Sequence, residues 1–550
     1  KKYNLGTLGF FYNIFIAAML LVVTAANAIW FLIVWELMSV ASYYLVIFER
    51  REEENIKAGT LYFIMTHVGT AFILLAFLLL YKVTGSFEFS AIQNNAAAIP
   101  SRILHLVFAS ALIGFGTKAG IIPFHIWLPS AHPAAPSHVS ALMSGVMIKT
   151  GIYMLIRLFV DLLPQTPVYY GFIIIGLGAI SSLLGVLYAL TEHDLKRLLA
   201  YHSIENIGII LLGLGSAITF SAMHMPTLSA IALIAALFHT LNHAIFKGLL
   251  FLGAGAVISE THTRNIEEYG GLIKKMPQTA FLFLIGSMAI SALPPLNGFA
   301  SEWLTFQSLF AGIAGTGGAG KIMFILAAGA LAFTGGLAAA CFVKAFGATF
   351  LARPRSEHVA KAKEAGWSMR FGMSVLALLT AILGIFSPSV FSGLAKIAGS
   401  LTRFQTTDIL PDTERIIVPS MPSVALGLLL LTVAVALILI LLTRKRRVTR
   451  GLTWDCGTDL TGRMEITATG FSRSIVSVFG NVLKPTRQTE IEYHDEHLRY
   501  FPKRSKINFG LNDVYQKFFY RPLTKALLIS SAWMRRIQSG NINAYLLYMF

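Results

Sequence analysis

The sequence predicts an all-α polytopic membrane protein, and the prediction comes from its composition, its low charge and the length of its apolar runs. Of the 550 residues, 55% are hydrophobic and 13% are charged, whereas a soluble domain of average composition is about 25% charged. Backbone polar groups inside a bilayer must pair within the protein, so helices are the expected spanning form. The apolar runs do not alternate as the strands of a membrane barrel do. The composition therefore excludes an ordinary soluble enzyme, a disordered chain and a collagen-like fibre.

A helix that crosses a bilayer needs about 20 predominantly apolar residues, and twelve runs of the sequence meet that requirement. We predict spans at 10–27, 28–48, 57–81, 103–126, 137–160, 169–190, 198–219, 229–258, 279–309, 321–350, 371–395 and 421–443. A thirteenth span is expected to begin near Tyr545. Because the chain starts at Lys1 and stops within an apolar run, we expect both ends to lie inside a longer protein.

Hydropathy and charge divide the chain into five segments. They are 1–160, N-terminal helices that include a first five-helix repeat; 169–350, a second, inverted five-helix repeat; 371–443, additional transmembrane helices; 444–540, a basic cytoplasmic or interfacial segment; and 541–550, the start of a truncated final transmembrane helix.

Loop charge predicts the orientation, because Lys and Arg are enriched in cytoplasmic loops. The richer set of alternate loops lies near residues 50–57, 196–197, 264–275, 353–363 and 444–447. Segment 444–540, with 18 Lys and Arg against 8 Asp and Glu, is then cytoplasmic. Its stretch 508–537 mixes aromatic and basic residues at roughly helical spacing, which is typical of a helix that lies on a membrane or along a partner. A solvated basic tail near anionic lipid is the alternative.

Ionisable residues lie inside several predicted spans. They are Glu36, His67, Lys118, Lys149, His239, His243, Lys247 and Glu302, with His202, Glu205 and Lys344 in addition. Each central charge costs roughly 2.5–3.5 kcal/mol, so the five mid-span lysines and glutamates would cost on the order of 15 kcal/mol if unpaired. Packing does not need them, which predicts a polar pathway for protons or other ions. His67 as a core histidine and Lys344 as a side chain that reaches the interface are the structural alternatives.

Three of these residues, His239, His243 and Lys247, stand at positions i, i+4 and i+8, which places them on one helix face. They span about 12 Å along the helix axis. Histidine suits a proton relay because it titrates near neutral pH. A metal pair is the less favoured alternative, since no third ligand stands nearby in sequence, and a pair of satisfied core histidines remains open. His202 and Glu205, at i and i+3, repeat the pattern on the preceding span.

Two spans contain helix-breaking residues, and each break lies close to a charge, Lys118 in the first and Glu302 in the second. The breaking residues are Pro123, Pro294, Pro295 and Gly298. Proline removes a backbone hydrogen bond, and such breaks persist in membranes only where they face protein or water. The breaks are five spans apart, in corresponding positions of two inverted blocks. Broken helices in inverted repeats are typical of the ion site of transporters.

The two cysteines, Cys341 and Cys456, limit the chemistry that this chain can carry itself. An iron–sulfur cluster needs about four thiolates, and the sequence has no Gly-rich dinucleotide loop and no recognisable quinone site. We expect no cofactor, no metal and no catalytic residue in this chain. The net charge of +17 is expected in loops and not on a nucleic-acid-binding face.

Several motifs resemble the antiporter-like subunits of respiratory complex I. They are GFGTKAG at 114–120, PFHIWLP at 123–129, AHPAAPS at 131–137, DLKRLLAY at 194–201 and HTLNHAIFK at 239–247. AYHSIENIG at 200–208 and TWDCG at 453–457 narrow the resemblance to the large membrane subunit of energy-linked group 4 nickel–iron hydrogenases, of the formate hydrogenlyase subunit 3 or hydrogenase-4 component B type. Mrp-type sodium/proton antiporters belong to the same superfamily.

The resemblance implies two inverted five-helix repeats and a charged axis. A glutamate that matches Glu36 pairs in the family with a lysine that matches Lys118, and the axis continues through Lys149, His239 and His243 to a charged residue. That last residue matches Glu302, where some members have lysine. The resemblance also implies other membrane subunits and a peripheral hydrogenase-type arm that holds a NiFe centre and iron–sulfur clusters, in the inner membrane of a prokaryote.

These observations predict a proton-translocating subunit of a redox-driven complex, a membrane-bound hydrogenase or formate hydrogenlyase. Desolvation disfavours the charged form of a lysine and a nearby carboxylate favours it, so withdrawal of Glu36 would release the proton of Lys118 towards Lys149. The alternatives are a subunit of an Mrp-type sodium/proton antiporter, an antiporter-like subunit of complex I and a passive membrane anchor. An anchor gains nothing from charges in mid-membrane.

Overall fold

The protein is a bundle of long helices, as a computed structural model shows for residues 3–402, 420–444, 454, 457–458, 461–494, 500, 502–511 and 515–535. Eleven helices in these ranges are long and apolar enough to cross a membrane. This confirms the all-α, multi-pass membrane architecture that the hydropathy predicts. The expected span near Tyr545 lies outside the described residues.

The helices follow the predicted spans closely in the first half of the chain. They are α1 (Leu5–Thr24), α2 (Ala28–Val46), α3 (Glu53–Thr84), α4 (Phe89–Asn94), α5 (Ser101–Ala119), α6 (Leu128–Ala134), α7 (Ser137–Leu142), α8 (Ile148–Ile156), α9 (Val168–Thr191) and α10 (Leu195–Ala222). Two π-helical segments, Met143–Met147 and Arg157–Leu162, continue α7 and α8, so that 137–162 forms one helical span.

The second half continues with α11 (Pro226–Thr261), α12 (Pro277–Ile290), α13 (Asn297–Gly315), α14 (Gly318–Phe350), α15 (Glu357–Lys361), α16 (Trp367–Ile385), α17 (Ser387–Thr402), α18 (Met421–Thr443), α19 (Ala468–Val478), α20 (Gly480–Leu483) and α21 (Arg521–Met534). Short 3₁₀ turns lie at Ala96–Ala98, Ile266–Glu268, Leu272–Lys274 and Gly462–Met464, and a π-helical turn, Gln516–Tyr520, precedes α21.

Both predicted breaks are present. α5 ends at Ala119 because Gly120 takes a left-handed conformation, with φ of +78°, and the chain reaches α6 through a non-helical stretch. The predicted span 279–309 is two helices, α12 and α13, separated by residues 291–296. Gly298 fits against α12 because a Cβ there would lie 2.9 Å from the carbonyl carbon of Ala289.

Helix starts at two short turns are fixed by side-chain caps. The Asn27 side chain accepts hydrogen bonds from the backbone N–H groups of Ile29 (2.8 Å) and Trp30 (3.2 Å) at the start of α2. Asp194 accepts from Lys196 (2.8 Å) and Arg197 (3.0 Å) in the same way at α10. Such caps satisfy backbone donors that have no partner within the helix, and they let consecutive spans reverse within a few residues.

The centre of the bundle is the pair α9 and α10, and glycines allow its close packing. A Cβ at Gly178 of α9 would lie 2.8 Å from the carbonyl oxygen of Gly208 on α10. Gly171 and Gly185, seven residues to either side, approach the backbone of Gly215 and Glu205 equally closely. Small residues at such spacing let membrane helices pack backbone to backbone. Every residue in the most apolar window of α10 is buried, whereas Met421 is the one buried residue of α18.

The expectation of one continuous span at 371–395 is wrong. α16 ends at Ile385 and a separate helix, α17, begins at Ser387. Pro388 explains the interruption, because proline has no backbone N–H to continue a helix and is well suited to the first turn of a new one.

Residues 461–471, which we call the strap, lie against the loops that precede α10, α12 and α15. The backbone N–H and the hydroxyl of Thr469 both donate to Glu267 (2.6 and 2.5 Å), and His193 contacts the same hydroxyl at 2.7 Å. Glu465 accepts from the backbone N–H of Arg353 at 2.8 Å. Burial and the charge of Lys344 lower the pKa of His193, which Glu267 partly offsets, so the imidazole is neutral at neutral pH.

The described residues after Phe471 belong to a second compact unit. It contains an antiparallel hairpin of β1 (Pro485–Tyr493) and β2 (Pro502–Leu511), with Thr489 opposite Ile507 and a register shift at Glu492 and Tyr493. The prediction of helical spacing over 508–537 is therefore wrong at its start. Ile507, Phe509 and Leu511 alternate with polar or small residues, which is the period of a strand. The later part is helical, in α21.

Candidate functional site

The buried lysine of the first break, Lys118, is held by neutral groups. Its ammonium group donates to the hydroxyls of Ser39 on α2 (2.9 Å) and Tyr62 on α3 (3.0 Å). It also lies 5.6 Å from the ring centre of Trp35 and 5.3 Å from that of Tyr62. Aromatic faces attract cations, so this pocket accepts the charged form of the side chain without a carboxylate in contact.

Tyr62 extends this pocket in two directions. Its hydroxyl lies 2.6 Å from that of Ser42 and 3.5 Å from the sulfur of Met147. Met147 ends the π-helical segment before α8, which carries Lys149. Tyr62, Ser39 and Ser42 were not predicted as site residues from the sequence. A signal was available, because Ser39 and Ser42 follow Glu36 at steps of three on one side of α2.

The ion pair between Glu36 and Lys118 that the resemblance implies is not formed. Glu36 instead contacts His67 of α3 at 3.1 Å. The Glu36 side chain is 30% exposed whereas Lys118 is buried, so the carboxylate lies nearer the outside of the bundle than the ammonium group. His67 is therefore the contact partner of Glu36. Its alternative interpretation from the sequence was a core histidine.

Lys149 is also buried and also bonded to a neutral oxygen. Its ammonium group donates to the backbone carbonyl of Ser144, five residues earlier in the π-helical segment. π-helical turns often occur at functional sites because they rearrange backbone hydrogen bonds. The hydroxyl of Ser144 in turn lies 2.8 Å from that of Ser203 on α10. Ser144 and Ser203 therefore connect Lys149 to α10, which belongs to the second half of the bundle.

The second half contains a buried pair and a third lysine. His202 and Glu205 of α10 are hydrogen-bonded to each other, and both are buried. Lys247 of α11 donates to the backbone carbonyl of Leu199 and lies 5.6 Å from the ring centre of Phe251. All three lysines of the axis thus donate to neutral oxygens.

The predicted histidine face of α11 is present and buried. His239 lies 3.0 Å from the hydroxyl of Ser301 and 3.1 Å from the side-chain oxygen of Asn206. The ring of His243 is parallel to that of His239 at 6.4 Å, and neither of its nitrogens has a hydrogen-bond partner among the described residues. Asn242 donates to Ser301 as well, at 3.0 Å.

Glu302 stands beside this network on α13. It directly follows Ser301, and it is buried. One carboxylate oxygen lies 3.9 Å from the position that a Cβ would take at Gly335 of α14. The absence of a side chain at Gly335 leaves room beside the carboxylate.

The structure brings the predicted residues together in groups, not in one unbroken chain. In the described ranges no hydrogen bond joins Lys118 to Lys149, or Lys149 to His239 or His243. Serine, tyrosine and asparagine side chains occupy part of the space between the groups. Transfer of a proton between groups therefore requires water or side-chain movement. The described ranges also contain no group of three His, Cys, Asp or Glu residues that could hold a metal ion.

Comparison with known proteins agrees with this geometry. Residues 25–317 match the family described as NADH:quinone oxidoreductase/Mrp antiporter, TM. Hydrogenase-4 component B of Escherichia coli (strain K12) is 40% identical over 554 residues, which cover 98% of this chain and 81% of that protein. Formate hydrogenlyase subunit 3 of the same strain is 36% identical over 476 residues, which cover 86% of this chain and 75% of that protein.

A solved structure shows the same fold. A chain of the membrane-bound sulfane sulfur reductase, an archaeal respiratory membrane complex, aligns with a TM-score of 0.75 over 98% of this chain and 81% of that chain, at 24% identity. The family match covers both broken helices, and the two relatives extend over most of the length. The chain therefore belongs to the NADH:quinone oxidoreductase/Mrp antiporter family of membrane proteins, which confirms the resemblance that its motifs indicate.

Proposed function

We propose that this chain is the proton-translocating membrane subunit of a redox-driven complex, a membrane-bound hydrogenase or formate hydrogenlyase. The observation that carries the proposal is the set of three buried lysines, Lys118, Lys149 and Lys247, each bonded to neutral oxygens. A lysine without a carboxylate in contact can exist with or without its proton, since no ion pair fixes the charged form. Such a group can both accept and release a proton.

Glu36 supplies the control in this mechanism. While Glu36 contacts His67, the ammonium group of Lys118 donates only to hydroxyls and lies beside aromatic rings. If the carboxylate moves towards Lys118, it favours the protonated lysine; if it returns to His67, Lys118 releases its proton towards Lys149. Water and the faces of His239 and His243 then carry the proton towards Glu302. His202 and Glu205 lie beside Lys247 on the same route.

The five segments predicted from hydropathy support this scheme. Segments 1–160 and 169–350 each contain one broken helix, and in each the break lies a few residues from a charged group. We propose that the two segments are inverted repeats and that the two breaks are the paired gates of one pathway. Segments 371–443 and 444–540 would then attach the pathway to other parts of the complex, and the described strap lies within the second.

Partner subunits would supply the energy. Moving a proton outwards costs about 2.3 kcal/mol per 100 mV of membrane potential, and this chain has no recognisable redox group of its own. Two of its relatives are named as a component of hydrogenase-4 and a subunit of formate hydrogenlyase. We propose that other membrane subunits and a peripheral arm with a NiFe centre and iron–sulfur clusters complete the complex, and that segment 444–540 lies on the cytoplasmic side of the inner membrane.

A second candidate is sodium/proton exchange, and the name of the matching family, which includes the Mrp antiporters, favours it. No group among the described residues decides between the two ions. The candidates differ in what drives them. Proton movement that depends on hydrogen-linked electron transfer supports the first, and proton movement that depends on a sodium gradient in the absence of redox substrate supports the second.

The Lys118→Met substitution tests the proposal. Methionine fills a similar volume without a titratable group, so we expect proton translocation in inside-out vesicles to be lost while the complex still co-purifies and reduces dye with hydrogen. Lys57→Met is the matched control, because Lys57 is exposed and pairs with Glu53 on the same helix. Undiminished translocation by Lys118→Met would contradict the mechanism.

A further inference from the structure

The mechanism above gives no role to the buried histidine of α6, His132. His132 of α6 is fully buried, and neither ring nitrogen has a hydrogen-bond partner within the described part of the chain. Burying a polar group without a partner is costly, and most buried polar groups in proteins are paired with protein or water. We therefore expect water to reach the imidazole of His132 for part of the time.

A cavity of about 540 Å³ lies on the other side of the same short helix. α6 lines it with Pro129, Ser130, Pro133 and Ala134, but not with Ala131 or His132. At 100° per residue the four lining positions share one face and His132 lies on the opposite one. α6 is thus a partition between the cavity and the buried imidazole. The start of α3, the turn before α10, Arg197 of α10 and Arg264 of the loop after α11 form the remaining walls.

Two cations hold this partition in place. The ammonium group of Lys196 donates to the backbone carbonyls of Ala135 and Pro133, and Arg264 donates to Pro133 as well, at 2.7 Å. The last carbonyls of a helix lack partners within the helix, and cationic side chains commonly satisfy them. Lys196 is buried, so its contacts with α6 are made away from solvent.

On its inner side His132 faces the end of the α11 face. Its ring lies 5.1 Å from that of Phe251, and the ammonium group of Lys247 lies 5.6 Å from the same phenylalanine. Lys149, Lys196 and Lys247 are the charged groups close enough to act on the imidazole. His132 therefore stands between the cavity and the point where Lys247 begins the row that His243 and His239 continue.

We propose that His132 is a further proton carrier, which takes protons from water in the cavity and passes them to Lys247, and that Lys196 is the positioning residue that keeps α6 closed between the two. The imidazole accepts a proton on one ring nitrogen and releases another from the second, so no oxidant or further reactant is needed. The inference rests on the proposed proton translocation, but the position of the partition does not.

Cysteine labelling tests the partition without any transport assay. The full complex is prepared with Cys341→Ala and Cys456→Ser, and single cysteines are placed at Ser130, on the cavity face, or at Ala131, on the inner face. Ser130 is partly exposed, whereas Ala131 is buried. With a membrane-impermeant thiol reagent, Ser130→Cys should react readily, and Ala131→Cys should react at least about tenfold more slowly. Adding Lys196→Met should bring the Ala131→Cys rate up to that of Ser130→Cys. Lys57→Met, which alters a lysine on the cavity wall that α3 contributes, should leave both rates unchanged. Equal rates at the start, or no effect of Lys196→Met, would overturn the partition.

A second measurement tests the carrier. His132→Ala should lower proton translocation by about tenfold or more, and imidazole added on the cavity side should restore part of it, because a small base can occupy the space of the ring. His105→Ala, at a histidine bonded to Tyr170 outside the axis, is the control. Full translocation by His132→Ala, or a loss that imidazole does not restore, would refute the carrier role. If the unaltered complex moves no protons, the proposed function fails while the labelling result stands.

Discussion

Neutral oxygens around buried lysines are the feature that most distinguishes the axis at the residue scale. A lysine in direct contact with a carboxylate stays charged, and separating such a pair in a low-dielectric interior is costly. Lys118 has two hydroxyls and two aromatic faces instead, and Glu36 is engaged elsewhere. This arrangement keeps the cost of losing the proton small while still offering the ammonium group hydrogen bonds.

The Tyr62→Phe substitution should weaken this pocket selectively. A hydrogen bond to a charged group contributes about 1.5–3 kcal/mol, so its loss should change the proton affinity of Lys118 by about tenfold or more. We expect slower proton translocation in vesicles, with unchanged yield of the complex. Tyr43→Phe is the control, since Tyr43 lies on the neighbouring helix and packs against Phe63. Equal rates for both variants would mean that the hydroxyl of Tyr62 does not hold Lys118.

At this scale the sequence predicted that Lys118, Lys149, Lys247 and Glu302 lie within spans, where the structure buries them, but not that Glu36 is partly exposed or what each group contacts. A charged side chain within a span is energetically costly, so Lys118, Lys149 and Lys247 can be recognised from the sequence whichever helix they face. The partner of a serine or tyrosine hydroxyl cannot be predicted in this way, because hydroxyls in membrane helices often bond to the backbone of their own helix. The contact between Glu36 and His67 was missed for a related reason, since helical spacing on one span does not say which neighbouring span it faces.

At the scale of the elements, the main feature is the close contact between the backbones of α9 and α10. Gly171, Gly178 and Gly185 place one side of α9 directly on α10, where any side chain would meet backbone atoms. Backbone atoms cannot move aside as a flexible side chain can, and overpacking of this kind typically costs about 1–3 kcal/mol or more. The fold therefore depends on these glycines more than on individual apolar contacts.

Gly178→Val should separate the two helices. We expect less assembled complex and a lower midpoint of thermal inactivation in detergent, because the added side chain would meet Gly208 and Leu212. Gly176→Val is the matched control, since the nearest atom to a Cβ at Gly176 is the end of Met323 at 4.0 Å. If both variants assemble and inactivate alike, the packing of α9 on α10 does not require the glycine.

Element boundaries followed hydropathy where a span is regular and departed from it where backbone chemistry intervenes. The predicted span 421–443 coincides with α18, because nothing but apolar length defines it. The predicted span 371–395 is divided near Pro388. The strands β1 and β2 have side chains that alternate with a period of two, and this alternation is hard to recognise in a segment rich in basic and aromatic residues. The π-helical segment at Met143–Met147 has no signal in hydropathy, since its residues are as apolar as those of a regular helix.

At the scale of the whole molecule the described spans differ in how far other helices cover them. α10 is enclosed by other helices, whereas α18 presents nearly all of its length to the outside. Residues that titrate are concentrated on the enclosed helices, α5, α8, α10, α11 and α13. A polar pathway at the centre is shielded from lipid in this way, and the outer helices are free to contact lipid or other subunits.

Loop charge also makes a prediction for the whole molecule, which is its orientation. Gly317 and Glu357 lie at opposite ends of α14, so a single cysteine at each should report opposite sides of the membrane. In inside-out vesicles an impermeant thiol reagent should label Glu357→Cys and not Gly317→Cys, and spheroplasts should give the reverse. Labelling of Gly317→Cys in inside-out vesicles would place the basic loops on the outer side and reverse the proposed direction of transport.

The glycine contacts between α9 and α10 also constrain motion. Two helices whose backbones touch at three levels cannot slide or rotate against each other without collision, so they form a rigid frame of reference through the middle of the bundle. We expect the shape changes of a working cycle at the two breaks, residues 120–127 and 291–296, because the backbone there is not held by regular helical hydrogen bonds. The glycine contacts would then keep the centre of the bundle in place while the breaks move.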